Sequence, residues 1–129
     1  MTITETYFHC TLQGPQFDPT PFLNRLDFTV TDHHRRDDIA TKGRFKGQPL
    51  ETGYVCLEAK TGNFDQFVEI LYSVKPLLLN SQANTKELHL FLGYTSQCNW
   101  EFTPDSLTKI SEMGLMLTMS CDRVNRVEE

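Results

Sequence analysis

No apolar run in this sequence approaches the roughly 20 residues that a membrane-spanning helix requires. Positive charge is in the minority: 12 Lys and Arg stand against 17 Asp and Glu, for a formal net charge of −5. A domain this acidic is a poor match for a phosphate backbone, which rewards clustered Lys and Arg. No nucleic-acid partner is therefore expected. The signatures of several chemistries are missing too. There is no P-loop, no G-x-G-x-x-G fingerprint and no G-x-S-x-G elbow. The four cysteines, Cys10, Cys56, Cys98 and Cys121, include no C-x-x-C pair, so zinc-ribbon spacing is absent. The opening residues Met1-Thr2-Ile3-Thr4-Glu5-Thr6 lack the basic and apolar regions of a secretory signal. A cytoplasmic location with reduced thiols is the expectation.

What is present suits one packed domain. The chain has 129 residues, 39% of them hydrophobic, with nine Phe and four Tyr. That length falls in the usual range of about 100–150 residues for a single core. We expect one α+β domain over residues 1–129, with a charged tail from about residue 122.

Local patterns give the elements. Residues 7–13 alternate, with Phe8, Cys10 and Leu12 on one side and Tyr7, His9 and Thr11 on the other. Gly14-Pro15 ends that strand. Asp18-Pro19 opens a short helix with Phe22, Leu23 and Leu26 as its apolar stripe. Residues 28–31 form a brief strand, and residues 32–48 a long polar loop or protruding hairpin. Residues 54–60 form a further strand. Asn63 with Gln66 caps a helix that Pro76 ends or kinks. Residues 87–93 place Leu88, Leu90 and Leu92 inward and His89 and Phe91 outward. Thr103-Pro104 opens a third helix with Leu107, Ile110 and Met113 facing in, and Gly114 closes it. The last strand carries Leu115, Leu117, Met119 and Cys121 on one face. The order is β-α-β-β-α-β-α-β. It predicts a two-layer α+β fold, with a mixed, mostly antiparallel sheet and helices on one face. A ferredoxin-like core with an added helix and strand is the alternative.

Constellations for catalysis are weak. His33 and His34 lie near Asp37 and Asp38, but neighbours on a strand face apart and would not meet at one ion. His9 and Cys10 face apart for the same reason. Cys98 would meet His89 only if the chain folds back between them, and no third group orients the pair. Arg35, Arg36, Lys42, Arg44 and Lys46 surround Phe45, but Asp32, Asp37 and Asp38 offset much of that charge. We expect no catalytic residue, no metal ligand and no cofactor. Cys10, Cys56 and Cys121 read as small buried hydrophobes, leaving Cys98 as the one exposed thiol.

Phe17-Asp18-Pro19-Thr20-Pro21-Phe22-Leu23 after an opening strand resembles the start of a bacterial family of unknown function, numbered four-two-seven-nine. So does Thr103-Pro104-Asp105-Ser106-Leu107-Thr108-Lys109-Ile110 running into Glu112-Met113-Gly114-Leu115. Lys42-Gly43 or Lys46-Gly47 and the strand at residues 53–58 follow in the same order. Val55 departs from the pattern, which often has Trp there. The resemblance implies a small bacterial α+β domain with no agreed activity. Small acidic cytoplasmic proteins of this sort resemble immunity proteins, which neutralise a toxin. The resemblance implies a cognate toxin, basic in charge and encoded next door, whose active site is occluded. Contacts are then expected at Arg35, Arg36, Asp37 and Asp38 in the long loop, and at Tyr94, Trp100 and Glu101 near the other turn. Exposed Trp, Tyr and Arg are typical anchors of such interfaces. The other reading is a small-ligand-binding or regulatory domain that uses a sheet face with His9, His89, Phe91 and Tyr54.

Overall fold

Period-two alternation along four of the predicted strands requires a layer that covers one side of a sheet and leaves the other to water. A computed structural model describes residues 3–60 and 62–124 and has that form. The strands are β1 (Ile3–Gly14), β2 (Phe28–His34), β3 (Gly53–Ala59), β4 (Thr85–Tyr94) and β5 (Met116–Arg123). The helices are α1 (Phe64–Ser73), α2 (Lys75–Leu79) and α3 (Pro104–Glu112), with a 3-10 turn at Thr20–Phe22. The sheet order is β2-β3-β1-β4-β5. Its first four strands pair antiparallel, and β5 runs parallel to β4. Parallel neighbours need a long crossover, and α3 lies within it. β1 and β2 run the same way with β3 between them, the split β-α-β arrangement of ferredoxin-like cores, to which α3 and β5 are added.

The centre of the helix-side face of the sheet is packed. Phe8, Cys10, Leu12, Val55, Leu57, Leu88, Leu90 and Leu92 are all buried, against Phe64, Phe67, Val68 and Leu71 of α1. Burying one such Leu or Phe side chain contributes roughly 1.5–3 kcal/mol, so this layer carries most of the stabilisation. The caps follow the sequence. Asn63 Oδ1 accepts the Gln66 N–H at 2.9 Å, and Thr103 Oγ1 accepts the Ser106 N–H at 3.1 Å. Pro76 sits in the first turn of α2, where no amide donor is needed, and Val74 forms the break between the two helices. Gly114 takes φ +69°, the left-handed conformation that closes α3.

Four local expectations are corrected. The first helix is only a 3-10 turn, because Leu23 is extended and Asn24 is left-handed at φ 66°. Leu26 therefore never comes round to the core and is 87% exposed. In α3 the inward position belongs to Ser106 rather than Leu107, which stays exposed. The Ser106 hydroxyl donates to Asp65 of α1 at 2.6 Å, so this buried polar group is satisfied and joins the two helices. On β5, Leu117, Met119 and Cys121 do share the helix-side face, opposite Leu88, Leu90 and Leu92. Yet Met119 and Cys121 are exposed, because β5 is an edge strand that the helical layer does not fully cover. Cys56 is half-buried rather than buried, being on the opposite face of β3.

Residues 35–50 form a protruding hairpin arm. The Asp37 N–H donates to Leu50 O and the Leu50 N–H to Asp38 O, both at 2.8 Å, and the Gly47 N–H reaches Ala40 O at 2.8 Å. Ile39 and Phe45 on this arm remain largely exposed. The charged residues 125–129 of the expected tail lie outside the described residues.

Among the glycines Gly53 lies closest to a neighbouring backbone. A Cβ built there stands 1.9 Å from the Phe17 carbonyl oxygen, a contact with backbone that cannot rotate away. Gly53→Ala is expected to destabilise the protein by about 3 kcal/mol or more, the upper end of overpacking effects. Urea titration of the purified variant checks it, and an unchanged midpoint would show that the 15–17 segment shifts freely.

Candidate functional site

The helix-free face of the sheet is assembled from every second residue of five strands. Cross-strand register places Thr29, Glu58, His9, His89 and Thr118 in one row. The next row holds Asp32, Cys56, Thr11, Glu87 and Met116. Beyond it come His34, Tyr54, Gln13 and Thr85, and on the other side Tyr7, Phe91 and Ser120. Glu5 and Asp122 extend the surface at either side of Gly93. The face thus carries five carboxylates: Glu5, Asp32, Glu58, Glu87 and Asp122. No strand position on it holds Lys or Arg, since Lys86 and Arg123 lie on the helix side with Leu12 and Tyr94.

Its centre is hydrogen-bonded. His89 Nδ1 lies 2.7 Å from Thr118 Oγ1, and Nε2 lies 2.9 Å from Ser120 Oγ. The Thr118 hydroxyl donates to the Glu87 carboxylate, so its oxygen is left to accept a proton from Nδ1. The ring is held from both ends, but its nitrogen stands 3.9 Å from Glu87, with a hydroxyl between. That orients the imidazole without pairing it directly to a carboxylate. His9 lies tilted beside His89 with centroids 5.4 Å apart. Tyr7, 59% exposed, lies 6.0 Å from Phe91, and His34 stacks on Tyr54 at 5.4 Å. Burial pushes the Tyr54 phenol up to about 12, Cys56 adding to the effect, so it stays a neutral hydrogen-bonding group.

The residues expected from the sequence lie at or beyond the two ends of the sheet and not on this face. Arg35, Arg36, Asp37 and Asp38 follow His34 at the Gln13 end, and Tyr94 pairs with Ile3 at the other. Ten residues of β1 separate the ends, roughly 33 Å at strand rise. The arginines are engaged within the chain. Arg35 Nη2 donates to Thr20 Oγ1 at 2.8 Å, and its backbone N–H donates to Asp38 Oδ2 at 2.8 Å. Asp37 adopts φ 73° in this turn. These four residues build the base of the arm. At the far end Trp100 is half-buried and packs edge-on to Phe64 at 6.3 Å, with its Nε1 buried and unpartnered. Its ring belongs to the rim of the core, whereas Glu101 is exposed.

The catalytic pairings do not assemble. His9 leaves β1 on the open face and Cys10 on the buried one. Cys98 contacts Cys121 at the edge of the helix side, away from His89. His33 and His34 leave β2 on opposite faces, although both border a cleft of about 530 Å³ beside the arm. Among the described residues no three His, Cys, Asp or Glu side chains are grouped to hold a metal ion. No described helix is long and apolar enough to cross a membrane. Alternation in the sequence pointed to His9, His89, Phe91 and Tyr54. It missed Glu58, Asp32, Thr118, Ser120 and Asp122, whose place on this face depends on strand order. No protein-family model, curated protein or solved structure matches this chain.

Burial, and then the charge of His89, hold the His9 imidazole below its ordinary value, while Glu58 and Glu87 pull the other way. A histidine lowered in the folded state stabilises the fold as a neutral ring. That contribution is complete above about pH 6.5 and is lost as pH falls through the folded value. The denaturant midpoint should therefore drop as pH falls below about 6.5, and His9→Gln should make the drop shallower. An identical pH profile in the variant would remove His9 from this role.

Proposed function

We propose that this chain is a bacterial immunity protein that binds a basic cognate toxin across its open sheet face and covers the toxin's active site. The observation that carries the reading is the composition of that face: five carboxylates, the exposed Tyr7 beside half-buried Phe91 and Tyr54, and no Lys or Arg at its strand positions. Surfaces of one sign accelerate association with a partner of the other sign and reject like-charged competitors. Tyr7, Tyr54 and Phe91 supply the apolar area for anchoring. The face rests on a hydrogen-bonded sheet over a packed core, so little ordering is needed on binding. Five strands spaced by about 4.8 Å and some 30 Å long present roughly 600 Å², near the ~800 Å² that each partner contributes to a standard interface.

The arm base with Arg35, Arg36, Asp37 and Asp38 flanks one end of the face, whereas Tyr94 and Trp100 at the other end lie towards the helix side of the sheet. In this reading the protein works in the cytoplasm of the producing cell, and the toxin is encoded next door. Membership of the family of unknown function that its caps and turns resemble belongs to the same proposal. A small-ligand role is less well supported, because ligand sites are concave. The clefts of about 530 and 310 Å³ lie beside the arm and beside Pro21 and Pro76 rather than at the centre of this face.

Co-expression with the protein encoded by the adjacent gene tests the reading. The neighbour alone should arrest growth, and this chain should restore it. Combining Glu5→Lys, Glu58→Lys and Asp122→Lys, all at exposed positions, should slow association about tenfold or more at low salt and abolish protection. A harmless neighbour, or full protection by the triple variant, would refute it.

A further inference from the structure

Cys98 and Cys121 are 23 positions apart in sequence, yet their sulfurs lie 3.3 Å apart. Strand register and loop path bring this about. Cys121 is opposite Leu92 on β5, on the helix-side face, where the helical layer no longer covers the edge strand. The segment between β4 and α3 folds back along that edge. The Arg123 side chain donates to Thr95 O at 3.1 Å, the Val124 N–H donates to Tyr94 O at 2.6 Å, and Trp100 and Phe102 pack on the core rim. Cys98 is thereby set over the end of β5. A disulfide requires sulfurs about 2.05 Å apart, so an approach of roughly 1.3 Å closes it, and one partner lies on an irregular segment.

We propose that Cys98 and Cys121 form a reversible redox site that closes to an intrachain disulfide when a peroxide reaches the edge of the sheet. The site is independent of the open face, from which it lies on the other side of the sheet. Cys121 is exposed whereas Cys98 is half-buried, so the Cys121 sulfur is the one that an incoming peroxide meets first. That sulfur attacks one peroxide oxygen, the O–O bond breaks, and the other oxygen leaves as water after taking a proton. The resulting sulfenic acid is attacked by the Cys98 sulfur. The S–S bond forms, the S–O bond breaks, and a second water departs with the Cys98 proton. Two thiols are oxidised by two electrons and one peroxide is reduced to two waters. A thiol-containing reductant reverses the step by exchange.

The other two cysteines are placed to stay out of this chemistry. Cys10 is fully buried, and burial pushes its thiol up to about 12. Cys56 lies opposite Thr11 on the open face, whereas Cys10 lies opposite Leu57 on the buried one, so the two point apart. Closure ties the loop before α3 to the strand after it, encircling α3.

The test treats the reduced full-length protein with a small excess of hydrogen peroxide and traps free thiols with an alkylating agent. The expected product is a monomer lighter by about 2 Da before alkylation, with two thiols still free. Non-reducing tryptic maps should join the Cys98 and Cys121 peptides, and dithiothreitol should separate them. The oxidised form should melt about 5–15 °C higher than the reduced form. Cys121→Ser, at an exposed position, should abolish the link while keeping the circular dichroism spectrum, and Cys56→Ser should retain it. Sulfinic or sulfonic acid at Cys121 without a linked peptide would overturn the proposal. So would a product that consists of disulfide-joined dimers, or a link that survives Cys121→Ser.

Discussion

Burial of one face of the sheet against α1 sets the rest of the structure. Phe8 meets Phe64 edge-on and Phe67 at a tilt, both with centroids 5.6 Å apart, and Leu12, Leu57, Leu88 and Leu90 complete the layer. Strand side chains alternate, so committing these residues to the core commits their neighbours to water. A slip of one residue in any strand would bring carboxylates or histidines into the core. The open face is therefore positioned by hydrophobic contacts on the far side of the sheet. Glu5, Glu58 and Asp122 on that face are exposed and lie outside the core.

This arrangement also explains what the linear sequence disclosed. Alternation at Phe8, Cys10 and Leu12 and at Leu88, Leu90 and Leu92, caps at Asn63 and Thr103, and the breaks at Pro76 and Gly114 are local signals, and the structure follows them. The structure departs from the local signals where a long-range contact overrides them. Ser106 displaced Leu107 from the inward position because Asp65 on another helix was there to accept its hydroxyl. Cys121 is exposed because β5 lies at the edge, a fact of strand order that no short window contains.

The site divides in the same way. His9, His89, Phe91 and Tyr54 were legible as outward residues of individual strands. Their union with Glu58, Asp32 and Asp122 was not, because it rests on the pairings of β1 with β3, β2 with β3 and β4 with β5. The polar segment at residues 32–38 drew notice for its dense charge, yet Arg35 and Asp38 satisfy each other and Thr20 in a turn. Charge density in a loop and availability for a partner are different properties, and hydrogen-bond geometry separates them. Trp100 shows the converse: polar neighbours made it look exposed, while Phe64 holds it at the core rim.

The central claim is that the open sheet face, rather than the arm or the turn at Trp100, is the contact surface. Chemical-shift mapping of isotope-labelled protein titrated with the product of the adjacent gene addresses it directly. The account predicts perturbations centred on the amides and side chains of His9, Thr11, Glu58, His89 and Ser120, weakening towards both ends of the sheet. Perturbations confined to residues 35–50, or to the segment from Tyr94 to Glu101, would contradict it.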